Sequence, residues 1–214
     1  MATTRDQRPA NARYYRHNRA REIERVRSRQ GLRRDELRSL RSKPCMDCRV
    51  EFLPHQMDFD HRDPGRKTFR LTAGGAMLAS PARLMEEMAK CDVVCANCHR
   101  LRTWSRNATQ VPAHRSATPS DELRRKRVYW RNQAQMLDGL KDVPCVDCGG
   151  RFAPCVVDFD HRDARTKVYT VSRMIGRAGT AKILAEIAKC DIVCANCHRD
   201  RTYRRREAGS PERE

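Results

Sequence analysis

The segment CDVVCANCHR at residues 91–100 recurs as CDIVCANCHR at residues 190–199. A second repeated segment lies upstream, where DFDHRD occupies residues 58–63 and again residues 158–163. The upstream segment recurs one hundred positions later and the downstream segment ninety-nine positions later. The second copy therefore has one residue fewer between its two segments than the first. Self-similarity at a fixed spacing indicates a structural unit that has been duplicated. The chain is therefore interpreted as two tandem copies of one small unit.

Each copy contains two Cys-x-x-Cys pairs, a spacing that lets four thiolates converge on one Zn²⁺. The cysteines concerned are Cys45, Cys48, Cys95 and Cys98 in the first copy, and Cys145, Cys148, Cys194 and Cys197 in the second. We predict one structural zinc ion per copy, with reduced or redox-active thiols as the alternative. Cys91 and Cys190, four residues before the second pair, are predicted to be buried cysteines that do not bind the metal.

The composition disfavours one large hydrophobic core. The 214 residues are 39% hydrophobic and 6% aromatic, which favours small units stapled by metal ions over a single large domain. No uncharged stretch reaches the roughly 18 residues that span a bilayer. The N-terminus, MATTRDQRPA, lacks the apolar region of a secretory signal. We therefore expect a cytoplasmic protein with reduced cysteines.

The repeats and the segments between them predict an α+β protein. We predict a basic helical extension at 1–43, a first repeated unit at 44–104, a linker at 105–118, a second helical extension at 119–143, a second unit at 144–203 and a disordered tail at 204–214. The alternation of apolar and acidic residues in Met57–Asp60 predicts a strand, which we expect in a hairpin. Ser80 followed by Pro81 predicts the start of a helix that leads into the second cysteine pair.

A structural zinc ion needs only its four thiolates, so the repeated Asp60-His61 and Cys98-His99 pairs require a separate explanation. Hydrolysis of a phosphodiester supplies one, because it needs a base for water and a divalent cation for the phosphoryl charge. Histidine titrates near neutral pH and is suited to act as the base. The alternative is that these histidines are hydrogen-bonded packing residues or additional zinc ligands.

These motifs resemble the HNH endonuclease family, in particular its phage and bacterial members with a zinc-stapled ββα-metal fold. The resemblance covers residues 45–104 and 145–203 and rests on CMDC, DFDHRD and CANCHRLRT in the first copy and CVDC, DFDHRD and CANCHRDRT in the second. It implies two tandem ββα-metal (HNH) units. It also implies hydrolytic cleavage of DNA that leaves a 5′-phosphate and a 3′-hydroxyl.

The resemblance assigns roles to individual residues. His61 and His161 correspond to general bases. The ligands of a catalytic divalent cation, Mg²⁺ or another, correspond to Asp60, His99, Asp160 and His198. The family's Asn that orients the base has no counterpart in Lys90-Cys91-Asp92, so the orienting group is unassigned. Asp58 and Asp158 are candidates for supporting the metal ligands.

The charge of the chain predicts a polyanionic partner. Lys and Arg number 45 against 27 Asp and Glu, a formal net charge of +18, and cationic side chains supply most non-specific affinity for DNA. The predicted DNA contacts are Arg62, Lys67, Arg100, Arg162, Lys167 and Arg199. With a centre in each copy, a monomer is predicted to make paired nicks or a double-strand break. The alternatives are a non-catalytic zinc-finger DNA-binding or regulatory protein, and RNA as the substrate.

Overall fold

The structure, a computed structural model, describes residues 8–71, 76, 79–109 and 120–209. The elements of the first half are helix α1 (Arg8–Ser39), strand β1 (Met57–His61), helix α2 (Pro81–Met88), strand β2 (Cys91–Cys95) and helix α3 (Ala96–Thr109). Those of the second half are α4 (Asp121–Leu140), β3 (Val157–His161), α5 (Val171–Met174), α6 (Thr180–Ile187), β4 (Cys190–Cys194) and α7 (Ala195–Ala208). The duplicated sequence thus folds into duplicated elements, and the chain is a mixed α+β protein as predicted.

Each copy contains a small two-stranded sheet, β1 with β2 and β3 with β4. In the second copy the strands are antiparallel, with Val157 opposite Cys194 and His161 opposite Cys190. The strand predicted at Met57–Asp60 is confirmed as β1. The strand is not held in a hairpin as predicted, because residues 62–90, which include α2, separate β1 from its partner β2. Each strand pair therefore brings the Asp-His motif beside the residues that lead into the second cysteine pair.

The helix starts follow local capping chemistry. Helix α2 begins as predicted, with Pro81 in its first turn and the Ser80 hydroxyl accepting a hydrogen bond from the Arg83 backbone N–H at 3.4 Å. Helix α4 begins at Asp121, where the Ser120 hydroxyl accepts from the Leu123 N–H at 3.3 Å. Residue 119, the predicted start of this helical extension, lies outside the described residues.

Two helices extend past the predicted boundaries. Helix α3 continues to Thr109, so residues 105–109 are helical and not part of a linker. Helix α7 continues to Ala208, so residues 204–208 are helical although we predicted a disordered tail from 204. Neither segment contains Gly or Pro before the helix ends, and without such a residue nothing local interrupts the helical hydrogen bonds. The remainder of both predicted segments, residues 110–118 and 210–214, lies outside the described residues.

The described residues form two compact units that do not coincide with the two sequence copies. One unit contains residues from 1–43 and 59–92, and the other contains residues from 44–58 and 93–214. The core of the first unit consists of Leu37, Leu71, Ala76 and Leu84, packed by Phe59 and Phe69. The corresponding core of the second unit consists of Leu137, Val171, Met174, Ile183 and Cys190. Within the described ranges, no helix has the length and apolar character needed to cross a membrane.

Candidate metal centres and active site

The four cysteines of each copy converge as predicted. In both clusters the sulfur atoms lie within 4.8 Å of one another. The first pair of each cluster lies in a turn, the third cysteine ends β2 or β4, and the fourth lies in the first turn of α3 or α7. Backbone N–H groups donate to the sulfurs, as from Cys95 to the Cys45 Sγ at 3.2 Å. Both clusters could bind zinc, since four thiolates in one small volume are the usual ligands of a structural zinc ion.

The hydrogen bonds of the turn favour a thiolate at its first cysteine. Burial raises the pKa of Cys45, but the N–H groups of Cys48, Cys95 and Asp47 outweigh burial and bring the pKa to about 7. Burial and the neighbouring Cys95 and Cys45 sulfurs raise the pKa of Cys98 far above its usual range. Four thiolates therefore require a cation among them, and the same pattern holds in the second copy.

Cys91 lies outside the first cluster, as predicted. Its Sγ donates to the Glu87 carbonyl at 3.4 Å, and burial together with the Glu87 carboxylate raises its pKa to about 11. Cys190 repeats this arrangement with Glu186 at 3.4 Å, and its pKa is also raised to about 11. Both side chains are therefore neutral thiols that pack behind the strands.

A pocket in the second copy gathers the residues that the sequence assigned to catalysis. The pocket has a volume of about 350 Å³ and its lining includes Asp158, Asp160, His161, His198 and Arg205. Strand β3 supplies the first three residues, and helix α7 supplies the other two. Asp160 and His161 line the pocket although they are only 4% and 6% exposed.

The imidazole of His198 lies between two aspartates. Its Nδ1 is 2.8 Å from the Asp158 Oδ2, and its Nε2 is 3.5 Å from the Asp160 Oδ1. Burial raises the pKa of Asp158, but hydrogen bonds from His198 and Arg100 outweigh burial and bring it to about 2. Asp158 is thus an acceptor only, and Nδ1 must carry the proton. In the neutral ring, Nε2 then holds a lone pair towards Asp160, an arrangement that suits a cation between the two groups.

The carboxylate of Asp160 is already paired with arginine. Arg205 donates to its two oxygens at 2.9 and 2.8 Å, and Arg201 lies 3.3 Å from Oδ2. Burial raises the pKa of Asp160, but the hydrogen bonds and charges of the Arg205 and Arg201 guanidinium groups outweigh burial and lower it below its usual value. A divalent cation at Asp160 would therefore compete with Arg205 for the same carboxylate.

The buried residue Glu186 holds His161 and was missed by the sequence analysis. The His161 Nε2 lies 2.8 Å from the Glu186 Oε1, which also accepts from the Val168 N–H at 2.8 Å and the Tyr169 N–H at 3.3 Å. The Lys189 ammonium bonds the other oxygen at 2.7 Å. Lys189 and the backbone N–H donors bring the pKa of Glu186 to about 2 although burial opposes them. Glu186 is therefore a carboxylate that fixes the Nε2–H tautomer of His161.

The first copy repeats these contacts, with its residues divided between the two compact units. In one unit, His61 Nε2 lies 2.8 Å from the Glu87 Oε1, and both side chains are buried. In the other, His99 Nδ1 lies 2.8 Å from the Asp58 Oδ2. Asp60 is buried on β1, at 4% exposure. The sequence contained a pattern that could have indicated Glu87 and Glu186. In each copy a glutamate interrupts an apolar helix face four residues before a cysteine, which is Cys91 in the first copy and Cys190 in the second.

The predicted DNA contacts differ in how they are used. Arg62 bonds the carbonyls of Cys91 and Ala89 at the end of α2, and Arg162 repeats this contact with Cys190 and Ala188 after α6. Arg100 and Arg199 are paired with carboxylates, Asp158 and Asp58 respectively. Lys67 and Lys167 are exposed. The four arginines thus have partners inside the fold, although the Arg62 and Arg162 side chains are also about half exposed.

The asparagines between the paired cysteines join the two copies. The Asn97 N–H donates to the Asn196 Oδ1 at 3.1 Å, and the Asn196 N–H donates to the Asn97 Oδ1 at 3.0 Å. Both residues are buried, and both belong to the same compact unit.

In comparisons with known proteins, no family model, no curated protein and no solved structure matches the chain.

Proposed function

We propose that the chain is a metal-dependent endonuclease of the HNH type that hydrolyses DNA phosphodiester bonds, with a ββα-metal unit and a structural zinc ion in each copy. The observation that carries the proposal is the pocket of the second copy, where a base candidate and two metal-ligand candidates lie together. Two separate carboxylates orient the two imidazoles. A histidine that serves only for packing needs no second histidine and no aspartate in the same pocket.

His161 acts as the general base in this proposal. Glu186 accepts the Nε2–H, so the neutral ring carries its lone pair on Nδ1. A water molecule that donates to Nδ1 loses its proton there as it attacks the phosphorus. Glu186 then stabilises the imidazolium that forms, and it fills the orienting role for which the sequence offered no asparagine.

Asp160 and His198 would hold the divalent cation, which supplies positive charge for the phosphoryl oxygens and the leaving oxygen. A carboxylate oxygen suits Mg²⁺ or Mn²⁺ and an imidazole nitrogen suits Ni²⁺ or another transition-metal ion, so the mixed ligand pair leaves the choice of divalent cation open. The same pocket is lined by Lys141, Lys167 and Arg205. These cations provide phosphate contacts next to the reacting group, in agreement with the formal net charge of +18.

The test is cleavage of supercoiled plasmid by the zinc-loaded protein with Mg²⁺, Mn²⁺ and Ni²⁺ each supplied. We expect wild type to cut, and the double variant His61→Ala with His161→Ala to retain zinc and DNA binding without cutting. His55→Ala is the matched control, because it removes an imidazole outside the proposed centres. If wild type and the double variant are equally inactive with all three metals, the chain is a non-catalytic zinc-dependent binding protein.

The single variants test whether one chain makes paired nicks. With one centre in each copy, His61→Ala and His161→Ala should each convert supercoiled plasmid to the nicked circle and accumulate little linear product. A single variant that linearises plasmid at the wild-type rate would show that the second centre is not needed for the second strand. Parallel digestion of structured RNA distinguishes a ribonuclease, because the same groups can hydrolyse either backbone.

A further inference from the structure

In each copy, one arginine pairs with a carboxylate of the other copy. Arg100, on α3 of the first copy, forms a two-pronged ion pair with Asp158 on β3 of the second, at 2.8 and 2.7 Å. Arg199, on α7, reaches back to Asp58 on β1 at 2.6 Å. All four residues belong to one compact unit, which contains the first cysteine cluster and the whole second copy. The two arginines occupy the same position in their copies, directly after the histidine that follows the second cysteine pair.

The carboxylates that these arginines hold are those that orient the metal-ligand histidines. The Asp158 Oδ2 accepts from both Arg100 and His198, at 2.7 and 2.8 Å. The Asp58 Oδ2 likewise accepts from Arg199 and His99, at 2.6 and 2.8 Å. A carboxylate fixed by a guanidinium group has one orientation, and the imidazole that donates to it is fixed in turn.

Other contacts hold the copies together independently of these arginines. The Asn97 and Asn196 side chains exchange hydrogen bonds, as described above. The Gln56 amide donates to the Asn196 carbonyl at 3.1 Å, and His55 pairs with Asp200 at 3.0 Å while it stacks on Tyr203. Loss of one arginine therefore leaves most of the contact between the copies in place.

We propose that Arg100 is a positioning residue for the second centre, so that the first copy completes the metal site of the second, and that Arg199 fixes the ring of His99 in the same way. The inference rests on the proposed function, because it assigns His198 and His99 to a catalytic cation. Arg100 touches neither the cation nor the substrate in this proposal. It acts through Asp158 on the ring of His198.

The direction in which cation affinity changes after the loss of Arg100 distinguishes a positioning role from a purely electrostatic one. Removal of a positive charge near a bound cation would by itself strengthen cation binding. Removal of a group that orients a metal ligand weakens cation binding instead, and the affinity falls by about 10- to 100-fold when that group contacts the ligand directly. Arg100 stands one step further away, so we expect about tenfold weaker binding of Mn²⁺ by the second centre in Arg100→Ala.

The experiment uses the full zinc-loaded chain with the His99→Ala change, which leaves only the second centre with its histidine. Mn²⁺ binding is measured by calorimetry without DNA, so a residue that only contacts DNA has no effect. We expect about tenfold weaker binding after Arg100→Ala and a smaller loss after Arg100→Lys, which keeps the charge. Arg102→Ala is the matched control, because Arg102 lies on the same helix and pairs with Asp47, at 2.8 and 2.6 Å.

A second measurement needs no catalytic metal. In protein with ¹⁵N-labelled histidine, the Nδ1–H tautomer of His198 should dominate in the parent and lose population in Arg100→Ala. Zinc content and the circular dichroism spectrum establish that each variant is folded. An unchanged tautomer overturns the positioning role, and so does Mn²⁺ binding by the variant that equals or exceeds the binding measured for a parent that does bind Mn²⁺. If the tautomer shifts while the parent neither binds Mn²⁺ nor cuts DNA, the positioning role stands and the nuclease proposal fails.

Discussion

Replacement of Glu186 by Gln should destabilise the unit that contains the second copy by about 3 kcal/mol. The carboxylate is 4% exposed and accepts from one imidazole, two backbone N–H groups and one ammonium group. Gln keeps a carbonyl oxygen for three of these donors but places an amide against Lys189. Loss of the charge weakens every bond, and hydrogen bonds to charged groups contribute about 1.5–3 kcal/mol each. Breaking a buried ion pair costs about 3–5 kcal/mol, and Lys189 limits the loss because it can turn to solvent.

Glu122→Gln is the matched control, because Glu122 also pairs with a lysine one helical turn away, Lys126, at 2.6 Å. That pair is largely exposed, and exposed pairs contribute about 0.5 kcal/mol. The assay is urea unfolding of the zinc-loaded protein, followed by tryptophan fluorescence. Both tryptophans, Trp104 and Trp130, lie in the same compact unit as Glu186. A Glu186→Gln protein no less stable than the Glu122→Gln protein would refute the reasoning about the buried carboxylate.

Three further outcomes are expected. Arg49 has a φ of 63°, where the second copy has a glycine, so Arg49→Gly should raise the free energy of unfolding by about 1 kcal/mol in urea titrations; no gain would mean that the turn is relaxed around arginine. The pKa values of Asp58 and Asp158 are lowered from 3.8 to about 2, so the contribution of these carboxylates to stability is complete above about pH 4 and is lost as the pH falls towards 2. Asp158→Asn should therefore reduce the loss of unfolding free energy between pH 4 and pH 2, and an unchanged loss contradicts this. Arg205→Ala removes the guanidinium group that bonds both oxygens of Asp160 and leaves only Arg201 beside it, so Mn²⁺ binding should strengthen several-fold in calorimetry; weaker binding would show that Arg205 supports the site.

The local patterns of the sequence were sufficient for the clusters and the short elements. The spacing of the cysteine pairs predicted the convergence of Cys45, Cys48, Cys95 and Cys98, since a two-residue spacer constrains where each sulfur points. The alternation in Met57–Asp60 predicted a strand, and the Ser80 cap predicted a helix start. The strand and the helix start depend on interactions within a few residues, and so does the turn of each cysteine pair, whereas the meeting of two distant pairs followed from the four ligands that a structural zinc ion needs.

The sequence did not predict what depends on contacts between distant residues. A glutamate on a helix is usually exposed, and only the fold shows that Glu87 and Glu186 are buried against the histidines of the strands. Arg100 and Arg199 were interpreted as DNA contacts on a cationic surface. A repeated sequence does not reveal that the carboxylate paired with each arginine comes from the other copy. These long-range contacts are also the ones that decide how the candidate centre is built.

The reciprocal hydrogen bonds of Asn97 and Asn196 have the form of a twofold homodimer interface, in which one patch contacts its own equivalent. Here a single polypeptide supplies both patches. Contact between two linked halves depends on the length of the tether and not on how much protein is in solution. The gene duplication that produced the repeat has therefore made this pairing insensitive to dilution, and a cell with only a few molecules would still contain the assembled pair.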